Sequence, residues 1–325
     1  MHVLVFGGAG YIGSHVCKAL KKAGFIPVVF DNFSSGHRWA VQWGPYVEGD
    51  ILNLSLLNKI LLHYCPIGII HLASLIDVRE SVANPTKYFQ TNVGGSLALL
   101  QAVLAQGIRP IVFSSSAAVY GAPKTTPIPE SHPKNPVSPY GRTKLIVEEL
   151  LSDLFHAHGL PSISLRYFNA AGADPEGEIG ESHNPETHLI PSSLLAALKK
   201  RPPLAIYGTD HATADGTAIR DYIHVTDLAD AHVKALQHLL RHPTALSLNL
   251  GTGQGYSVHH VLALAQEVAK CPIPNTIGPK NSSDPPILVA EAQQARTLLH
   301  WEPRYSSLPT ILETAWQWHL QRVNY

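Results

Sequence analysis

Short apolar runs rich in β-branched residues alternate with longer segments whose apolar residues recur at helical spacing. The short runs predict strands at 3–6, 27–30, 67–72, 111–115 and 162–167. The longer segments predict helices at 13–23, 55–63, 94–106 and 141–158. Strands that alternate with helices are typical of βαβ units, so the sequence predicts an α/β fold built on a doubly wound parallel sheet.

The pattern changes after Asn169, where a stretch rich in proline, glycine and acidic residues disfavours long regular elements. We therefore predict a first domain at 1–170 and a smaller, irregular region at 171–325. Within the second region the pattern predicts a helix at 191–200 and a strand at 204–207. Segments near 220–260 are expected to return and pack on the first domain.

Composition narrows the classes of partner. The 325 residues are 45% hydrophobic and 15% charged, which suffices for a large buried core. Lys plus Arg and Asp plus Glu number 24 each, so no basic excess indicates a nucleic-acid partner. No apolar run approaches the roughly 20 residues that cross a bilayer, and the strand-like start leaves no room for a signal segment. We expect a cytoplasmic protein with a small-molecule partner and no contact with a membrane.

Cysteine and histidine usage gives no sign of a metal. The three cysteines, Cys17, Cys65 and Cys271, are scattered and have no CxxC spacing, which argues against a disulfide framework or a zinc cage. The chain has 19 histidines, but their spacing shows no convergent set of ligands. We therefore expect no metal ion.

A glycine-rich turn joins the first predicted strand to the first predicted helix. Gly7, Gly10 and Gly13 have the spacing GxxGxxG, which allows a tight turn and close approach of a pyrophosphate to the helix N-terminus. Asp31 follows the second strand, where a carboxylate accepts hydrogen bonds from ribose hydroxyls and repels the extra phosphate of NADP. This pattern predicts NAD binding. Asp50 precedes the next helix and is expected either to contact the adenine or to cap that helix.

Tyr140 and Lys144 lie four residues apart in a helical pattern, so they share one helix face. The Lys144 ammonium and an oxidised nicotinamide would both lower the pKa of the phenol and make it a general base. The serine run 114–116 ends a predicted strand in the same sheet and offers a hydroxyl that shares the substrate proton. The pattern indicates redox chemistry on an alcohol, although it does not tell which serine faces the site.

Longer motifs carry a resemblance that runs from end to end. They are SSSAAVYG, SPYGRTK, RYFNAAGA, NPETHLIP and DGTAIRDYIHVTDLADAHV. Together they resemble the UDP-glucose 4-epimerases of the extended short-chain dehydrogenase/reductase family. The resemblance implies a Rossmann domain for NAD at 1–170 and a nucleotide-sugar-binding region at 171–325. It also implies interconversion of UDP-galactose and UDP-glucose through a 4-keto intermediate, with transient reduction of bound NAD, in a homodimer.

The same resemblance implies roles for individual residues. Tyr140 would be the base, Lys144 the group that lowers its pKa, and Ser116 the hydroxyl helper. Besides the three glycines, Tyr140 and Lys144, the implied NAD contacts are Tyr11, Ile12, Asp31, Asn32, Ser35, Asp50, Ile51, Leu72, Ala73 and Phe168. Besides Ser116 and Tyr140, the implied contacts with the UDP-sugar are Asn169, His188, Leu189, Ala205, Ile206, Tyr207, Arg220 and Asp284.

Departures from the family pattern keep other substrates open. Lys280 and Asn281 stand where a second arginine for the diphosphate is usual, and Ile76 replaces a lysine that contacts the cofactor in some relatives. Leu288 stands roughly where some relatives have a tyrosine that narrows the sugar pocket, which suggests turnover of N-acetylated sugars. An epimerase acting on UDP-N-acetylglucosamine or on a UDP-pentose is therefore an alternative.

Two further alternatives have less support. Sugar-nucleotide 4,6-dehydratases need an acidic pair beside the serine position, where this chain has Ala117 and Ala118. A non-catalytic NAD-binding protein would have little need of a tyrosine base, yet Tyr140, Lys144 and Ser116 are all present. The residues therefore favour an NAD-dependent 4-epimerase.

Overall fold

The computed structural model describes residues 1–107, 109–280 and 285–322. The strands within these ranges are β1 (His2–Phe6), β2 (Ile26–Asp31), β3 (Tyr46–Glu48), β4 (Gly68–His71), β5 (Ile111–Ser116), β6 (Ser162–Tyr167), β7 (Asn169–Ala171), β8 (Leu204–Tyr207), β9 (Ile219–Arg220), β10 (Tyr222–His224), β11 (Ala245–Leu250), β12 (Tyr256–Ser257), β13 (Asn275–Gly278) and β14 (Ile287–Leu288). The α-helices are α1 (Tyr11–Lys22), α2 (Leu54–Tyr64), α3 (Val78–Ala83), α4 (Pro85–Tyr88), α5 (Gly95–Ala105), α6 (Pro139–His158), α7 (Leu189–Ala197), α8 (Val225–Arg241), α9 (Val258–Ala269), α10 (Gln293–Leu299) and α11 (Leu308–Gln321).

The main sheet has the strand order β11-β6-β5-β4-β1-β2-β3, and every neighbouring pair is parallel. The predicted doubly wound α/β fold is therefore confirmed. All five strands predicted in the first half are present within one or two residues of their expected bounds. The edge strands β3 and β11 were not predicted.

Successive apolar residues of a central strand point to opposite faces of the sheet, so both faces are hydrophobic. Val3 and Val5 of β1 pack into a core that also contains apolar residues of α1, α8 and α10. Leu4 and Phe6 point to the opposite face, into a core shared with α2, α5 and α6. Since both faces are covered, the strands read as continuous apolar runs rather than as an alternation of apolar and polar residues.

The second half of the chain contributes to both parts of the molecule. β11 pairs with β6 along its whole length, and α8 packs on α1, so these segments complete the main sheet and one of its helical layers. α7, α9 and α11 enclose a separate core with β8 and β10. The division into domains at residue 170 stays a prediction.

Local chemistry explains where two helices begin. α6 begins at Pro139 and is capped by the Ser138 hydroxyl, which accepts a hydrogen bond from the Gly141 amide. Asn53 caps α2 by accepting from the Leu56 amide, so the alternative that Asp50 is the cap was wrong.

Across the ranges that the structure describes, we find no helix with the length and apolar character needed to traverse a membrane.

Candidate active site

A cavity of about 380 Å³ lies at the carboxyl edge of the main sheet. Residues that directly follow β1, β2 and β4 line it, and the last residue of β5, Ser116, reaches it as well. Residues of α6 and α7 close its other sides. Ligands of open α/β sheets bind at this edge, beyond the ends of the strands, so the cavity is the candidate active site.

The glycine turn forms one end of the cavity, and its three glycines serve different needs. Gly7 has a φ of +78°, and a Cβ there would lie 2.7 Å from the Ala73 amide nitrogen. A Cβ on Gly13 would lie 2.1 Å from the Gly7 carbonyl oxygen, so this position requires glycine for packing. Gly10 is different, because a Cβ there would meet only the Gly7 oxygen at 3.4 Å. The space over Gly10 is therefore open to the cavity.

The N-terminus of α1 faces the cavity without a side-chain cap. Gly10 is the N-cap residue and makes no capping hydrogen bond, while Tyr11, Ile12 and Gly13 of the first turn line the cavity. The first amides of a helix are orphan donors that carry the positive end of the helix dipole. This end of the cavity is therefore suited to an anionic group.

Asp31 places a carboxylate beside the glycine turn. Its oxygens accept hydrogen bonds from the backbone amides of Ala9, at 3.0 Å, and Phe33, at 2.8 Å. Burial raises the pKa of this carboxyl above its ordinary value, while the amides act in the opposite direction. These bonds fix the orientation of the carboxylate on the cavity wall.

Tyr140 and Ser116 meet on the cavity wall. The Tyr140 phenol lies close enough to the Ser116 hydroxyl for Ser116 to lower its pKa, and both residues line the cavity. Lys144 lies one helical turn away with its Nζ 5.7 Å from the centre of the Tyr140 ring. The side chain of Lys144 is buried, and Nζ donates to the Ser74 hydroxyl at 2.9 Å and to the Ser114 carbonyl at 2.8 Å.

The three serines at the end of β5 have separate partners. The Ser114 hydroxyl accepts a hydrogen bond from the Tyr167 phenol. Ser115 is fully buried and donates to Glu148 at 2.5 Å. Ser114 and Ser116 both line the cavity, and Ser116 is the serine that acts on the Tyr140 phenol.

Burial is the main influence on the pKa values of both Tyr140 and Lys144. It raises the pKa of the Tyr140 phenol above the ordinary value, although the nearby Ser116 hydroxyl opposes this. Burial also lowers the pKa of Lys144 to about 7. Loss of hydration therefore dominates the pKa of the phenol among the protein groups, and the lowering expected from Lys144 together with an oxidised nicotinamide stays a prediction.

Comparisons with known proteins agree with this geometry. Residues 3–251 match the family described as "NAD dependent epimerase/dehydratase family". The chain belongs to this family. A curated UDP-glucose 4-epimerase of Rhizobium leguminosarum bv. trifolii is 50% identical over 317 residues, which cover 98% of this chain and 97% of the relative.

Solved structures show the same fold over nearly the whole chain. UDP-glucose 4-epimerase from Brucella ovis in complex with NAD is 48% identical, with a TM-score of 0.95 over 97% of each chain. UDP-glucose 4-epimerase from Bifidobacterium longum in complex with NAD+ and UDP is 33% identical, with a TM-score of 0.95 over 100% of this chain and 99% of that one. The resemblance read from the sequence motifs is therefore confirmed.

Most residues predicted for an NAD dependent epimerase lie together on the cavity wall. They are Gly7, Gly10, Tyr11, Ile12, Gly13, Asp31, Asn32, Ser35, Asp50, Ile51, Leu72, Ala73, Ser116, Tyr140, Phe168, Asn169, His188 and Leu189. Lys144 lies directly behind the wall, where Ser74 and Ser114 hold its ammonium.

Four of the residues predicted to contact the UDP-sugar do not line the cavity. Ala205, Ile206 and Tyr207 form β8, which pairs with β13, and Arg220 lies on β9 between β12 and β14. The strands hold these side chains outside the cavity lining. The predicted contact Asp284 and the departure at Asn281 lie outside the described residues.

The sequence patterns missed several residues at the site. Ser74 and Tyr167 hold Lys144 and Ser114, and His183 lines the cavity beside His188. Ser74 follows β4 at the carboxyl edge, so strand order alone could have identified it. His183 lies in an irregular stretch, where no periodicity tells which side chains converge.

Proposed function

We propose that this chain is a UDP-glucose 4-epimerase that interconverts UDP-galactose and UDP-glucose and uses NAD as a bound cofactor. The observation that carries the proposal is the pairing of the Tyr140 and Ser116 hydroxyls in the same cavity as the glycine turn. Membership of the epimerase/dehydratase family and the likeness to curated UDP-glucose 4-epimerases support it.

The residues present fit a dinucleotide. The uncapped N-terminus of α1 offers amide donors to a pyrophosphate, and the open space over Gly10 permits close approach. The Asp31 carboxylate lies where ribose hydroxyls can donate to it, and its charge disfavours the additional phosphate of NADP. NAD, when bound, supplies the reversible acceptance of the hydride from C4 of the sugar.

The side chains of the cavity supply the accompanying proton transfer. In this proposal Tyr140 takes the proton from the sugar O4 and returns it after the keto sugar has turned over. Ser116 shares the O4 hydroxyl, and its own hydroxyl oxygen is oriented by the Ala118 amide, from which it accepts a hydrogen bond at 3.2 Å. Since burial raises the pKa of the Tyr140 phenol, a cationic nicotinamide beside it would offset that effect.

The second half of the chain is the proposed site of the nucleotide sugar. Asn169, His188 and Leu189 line the cavity near Tyr140. The Arg79 guanidinium of α3 lies 4.2 Å from the centre of the Tyr207 ring, so β8 faces the first half of the chain. We propose that residues 1–170 hold the dinucleotide and residues 171–325 hold the UDP portion, with β8 and Arg220 among its contacts.

One experiment tests both the chemistry and the retention of the cofactor. Purified protein is incubated with UDP-galactose, UDP-N-acetylgalactosamine and a UDP-pentose without added NAD, and the C4 epimers are resolved. We expect UDP-glucose to form from UDP-galactose without net NADH. A product that has lost water would indicate a dehydratase, and activity confined to the N-acetylated sugar would favour the alternative that Leu288 suggests.

Two glycine variants separate cofactor binding from folding. Gly10→Ala adds a Cβ that the protein accommodates, so we expect the free energy of unfolding to fall by less than about 1 kcal/mol. The same Cβ projects into the cavity and should weaken NAD binding about 10- to 100-fold. NAD content after purification and urea unfolding measure the two effects. In the matched variant Gly13→Ala, the free energy of unfolding should fall by about 2 kcal/mol or more, because the added Cβ collides with the Gly7 carbonyl.

A homodimer remains a prediction. Leu97 on α5 and Ile146 on α6 are exposed apolar side chains that a partner chain could cover. Measurement of the molar mass in solution by light scattering tests this prediction. A mass that corresponds to one chain at micromolar concentration would contradict it.

A further inference from the structure

The segment 181–188, which leads into α7, brings together four side chains that the proposed function leaves only partly used. Glu181, His183, Glu186 and His188 each direct one potential ligand atom inward, and these atoms lie within 4.8 Å of one another. The spacing Glu-x-His-x-x-Glu-x-His fits no regular helix or strand, so the convergence arises from the loop conformation. This is a mixed set of nitrogen and oxygen donors.

The distances within this cluster are close to those of a tetrahedral metal site. With metal–ligand bonds of about 2.0–2.1 Å, two ligand atoms of a tetrahedron are about 3.3 Å apart. His183 Nδ1 lies 3.2 Å from Glu181 Oε1 and 3.5 Å from Glu186 Oε2. His188 Nδ1 lies 3.9 Å from Glu186 Oε1 and is directly hydrogen-bonded to Glu181. The contact between His188 and Glu181 would have to open to admit an ion, and the four ligand atoms, which lie within 4.8 Å of one another, would close around it.

Burial makes the ionised forms of Glu181 and Glu186 unfavourable unless a cation lies beside them. The side chains of Glu181 and Glu186 are 4% and 6% exposed, whereas those of His183 and His188 are 18% and 47% exposed. The imidazoles line the cavity and the carboxylates lie behind them. Buried carboxylates are retained in proteins when they are paired with cations or bind metals.

A second acidic cluster shows how this chain satisfies carboxylates with a built-in cation. Asp174, Glu176 and Glu178 surround the Lys18 ammonium at 2.7, 2.8 and 2.5 Å. Lysine occupies the point where a metal would lie, so this cluster has no need of an ion. The carboxylates at 181–188 are paired instead with the imidazoles of His183 and His188, while the Arg201 guanidinium donates to the Glu186 backbone carbonyl at 3.2 Å.

Hydrogen bonds from outside the cluster hold the loop in place. Trp318 Nε1 donates to the Glu181 carbonyl at 2.9 Å, and His37 Nε2 lies 2.8 Å from the Ser182 carbonyl. Within the loop itself, Glu186 Oε1 accepts from the backbone amides of Thr187 and His188, both at 2.9 Å. Such outer contacts fix the orientation of ligands before a metal arrives.

We propose that Glu181, His183, Glu186 and His188 form a four-coordinate site for a divalent transition-metal ion of the zinc class. Two imidazoles and two carboxylates suit such an ion better than Mg²⁺ or Ca²⁺, which prefer sets made of oxygen alone. Binding displaces the protons shared between the imidazoles and the carboxylates, so no redox step is involved. The ion ties the loop before α7 against the cavity. This inference replaces the expectation from sequence that the chain holds no metal.

The test uses the full chain and does not depend on epimerase activity. Protein stripped with a chelator is titrated with Zn²⁺ and with Co²⁺ near pH 7.5. We expect uptake of one equivalent and, for Co²⁺, visible d–d absorption typical of four-coordination by nitrogen and oxygen. X-ray absorption of the zinc form should give two imidazole nitrogens. These measurements need no variant, so they stand even if a substitution impairs folding.

Variants then locate the site. Glu181→Gln and His183→Gln should each weaken Zn²⁺ binding by at least about 100-fold. The matched control is His238→Gln/His242→Gln, which removes a histidine pair whose ring centres lie 5.1 Å apart at the end of α8. It should bind Zn²⁺ as the unmodified chain does. The proposal is overturned if the unmodified chain gives no cobalt band, which would indicate a proton-bridged ion cluster, or if Glu181→Gln leaves stoichiometric uptake unchanged.

Discussion

Substitution of Tyr140 by phenylalanine is expected to lower kcat for UDP-galactose by about 10²- to 10⁴-fold, the range that a positioned acid–base group contributes. The variant removes one oxygen from a side chain that contacts Ser116 and leaves the ring in place. The glycine turn and Asp31 lie at the other end of the cavity, so the NAD content should be unchanged. Turnover is measured by resolving UDP-glucose, and cofactor content by absorbance after denaturation.

Tyr256→Phe is the control for this experiment. Its phenol donates to the Gln254 side chain at 2.9 Å on β12, outside the cavity lining. It loses the same oxygen and should keep kcat within about twofold. If Tyr140→Phe also keeps kcat within that range, the phenol is not the acid–base group of this epimerase.

The main sheet could be predicted because its central strands are buried on both faces. Such strands appear in the sequence as continuous apolar runs, and β6 (Ser162–Tyr167) has the bounds expected. β3 is an edge strand with two exposed residues among its three, so it leaves no apolar run. β11 (Ala245–Leu250) follows α8 and joins β6 at the other edge, a long-range pairing that local patterns do not reveal.

Residue types and order predicted the cavity, whereas its electrostatics required coordinates. The spacing of Tyr140 and Lys144 correctly placed both on one face of α6, and the strand end brought Ser116 to them. The sequence did not reveal that burial raises the Tyr140 pKa, because a sequence does not show how completely a helix face is buried. Burial also decides which of three adjacent serines is available to a ligand.

The cluster at 181–188 shows where spacing arguments fail. A zinc motif on a helix can be recognised because its ligands repeat at three or four residues, but these four side chains lie on an irregular loop. Their convergence depends on contacts with distant groups such as His37 and Trp318, which hold the carbonyls of residues 182 and 181. Long-range contacts of this kind have no signature in the local sequence.

Lys144→Met is expected to lower kcat by about 10²-fold or more, because the ammonium holds Ser74 and the Ser114 carbonyl beside the acid–base group. It should also change the pH dependence of stability. Burial lowers the pKa of Lys144 to about 7, whereas the unfolded chain keeps the ordinary value of 10.5. Between these values the unfolded state binds the additional proton, so folding becomes more favourable as pH rises, by about 1.4 kcal/mol per pH unit.

Urea unfolding of the unmodified chain and of Lys144→Met at pH 7, 8 and 9, with equal cofactor content, isolates this contribution. The free energy of unfolding of the unmodified chain minus that of the variant should grow by about 1.4 kcal/mol per pH unit, since the slopes of other groups cancel. Lys22→Met removes an exposed lysine paired with Glu176 and is the control, for which the difference should stay level over this range. A level difference for Lys144→Met as well would mean that Lys144 keeps its proton when buried, and the ammonium would then act on the Tyr140 phenol at full charge.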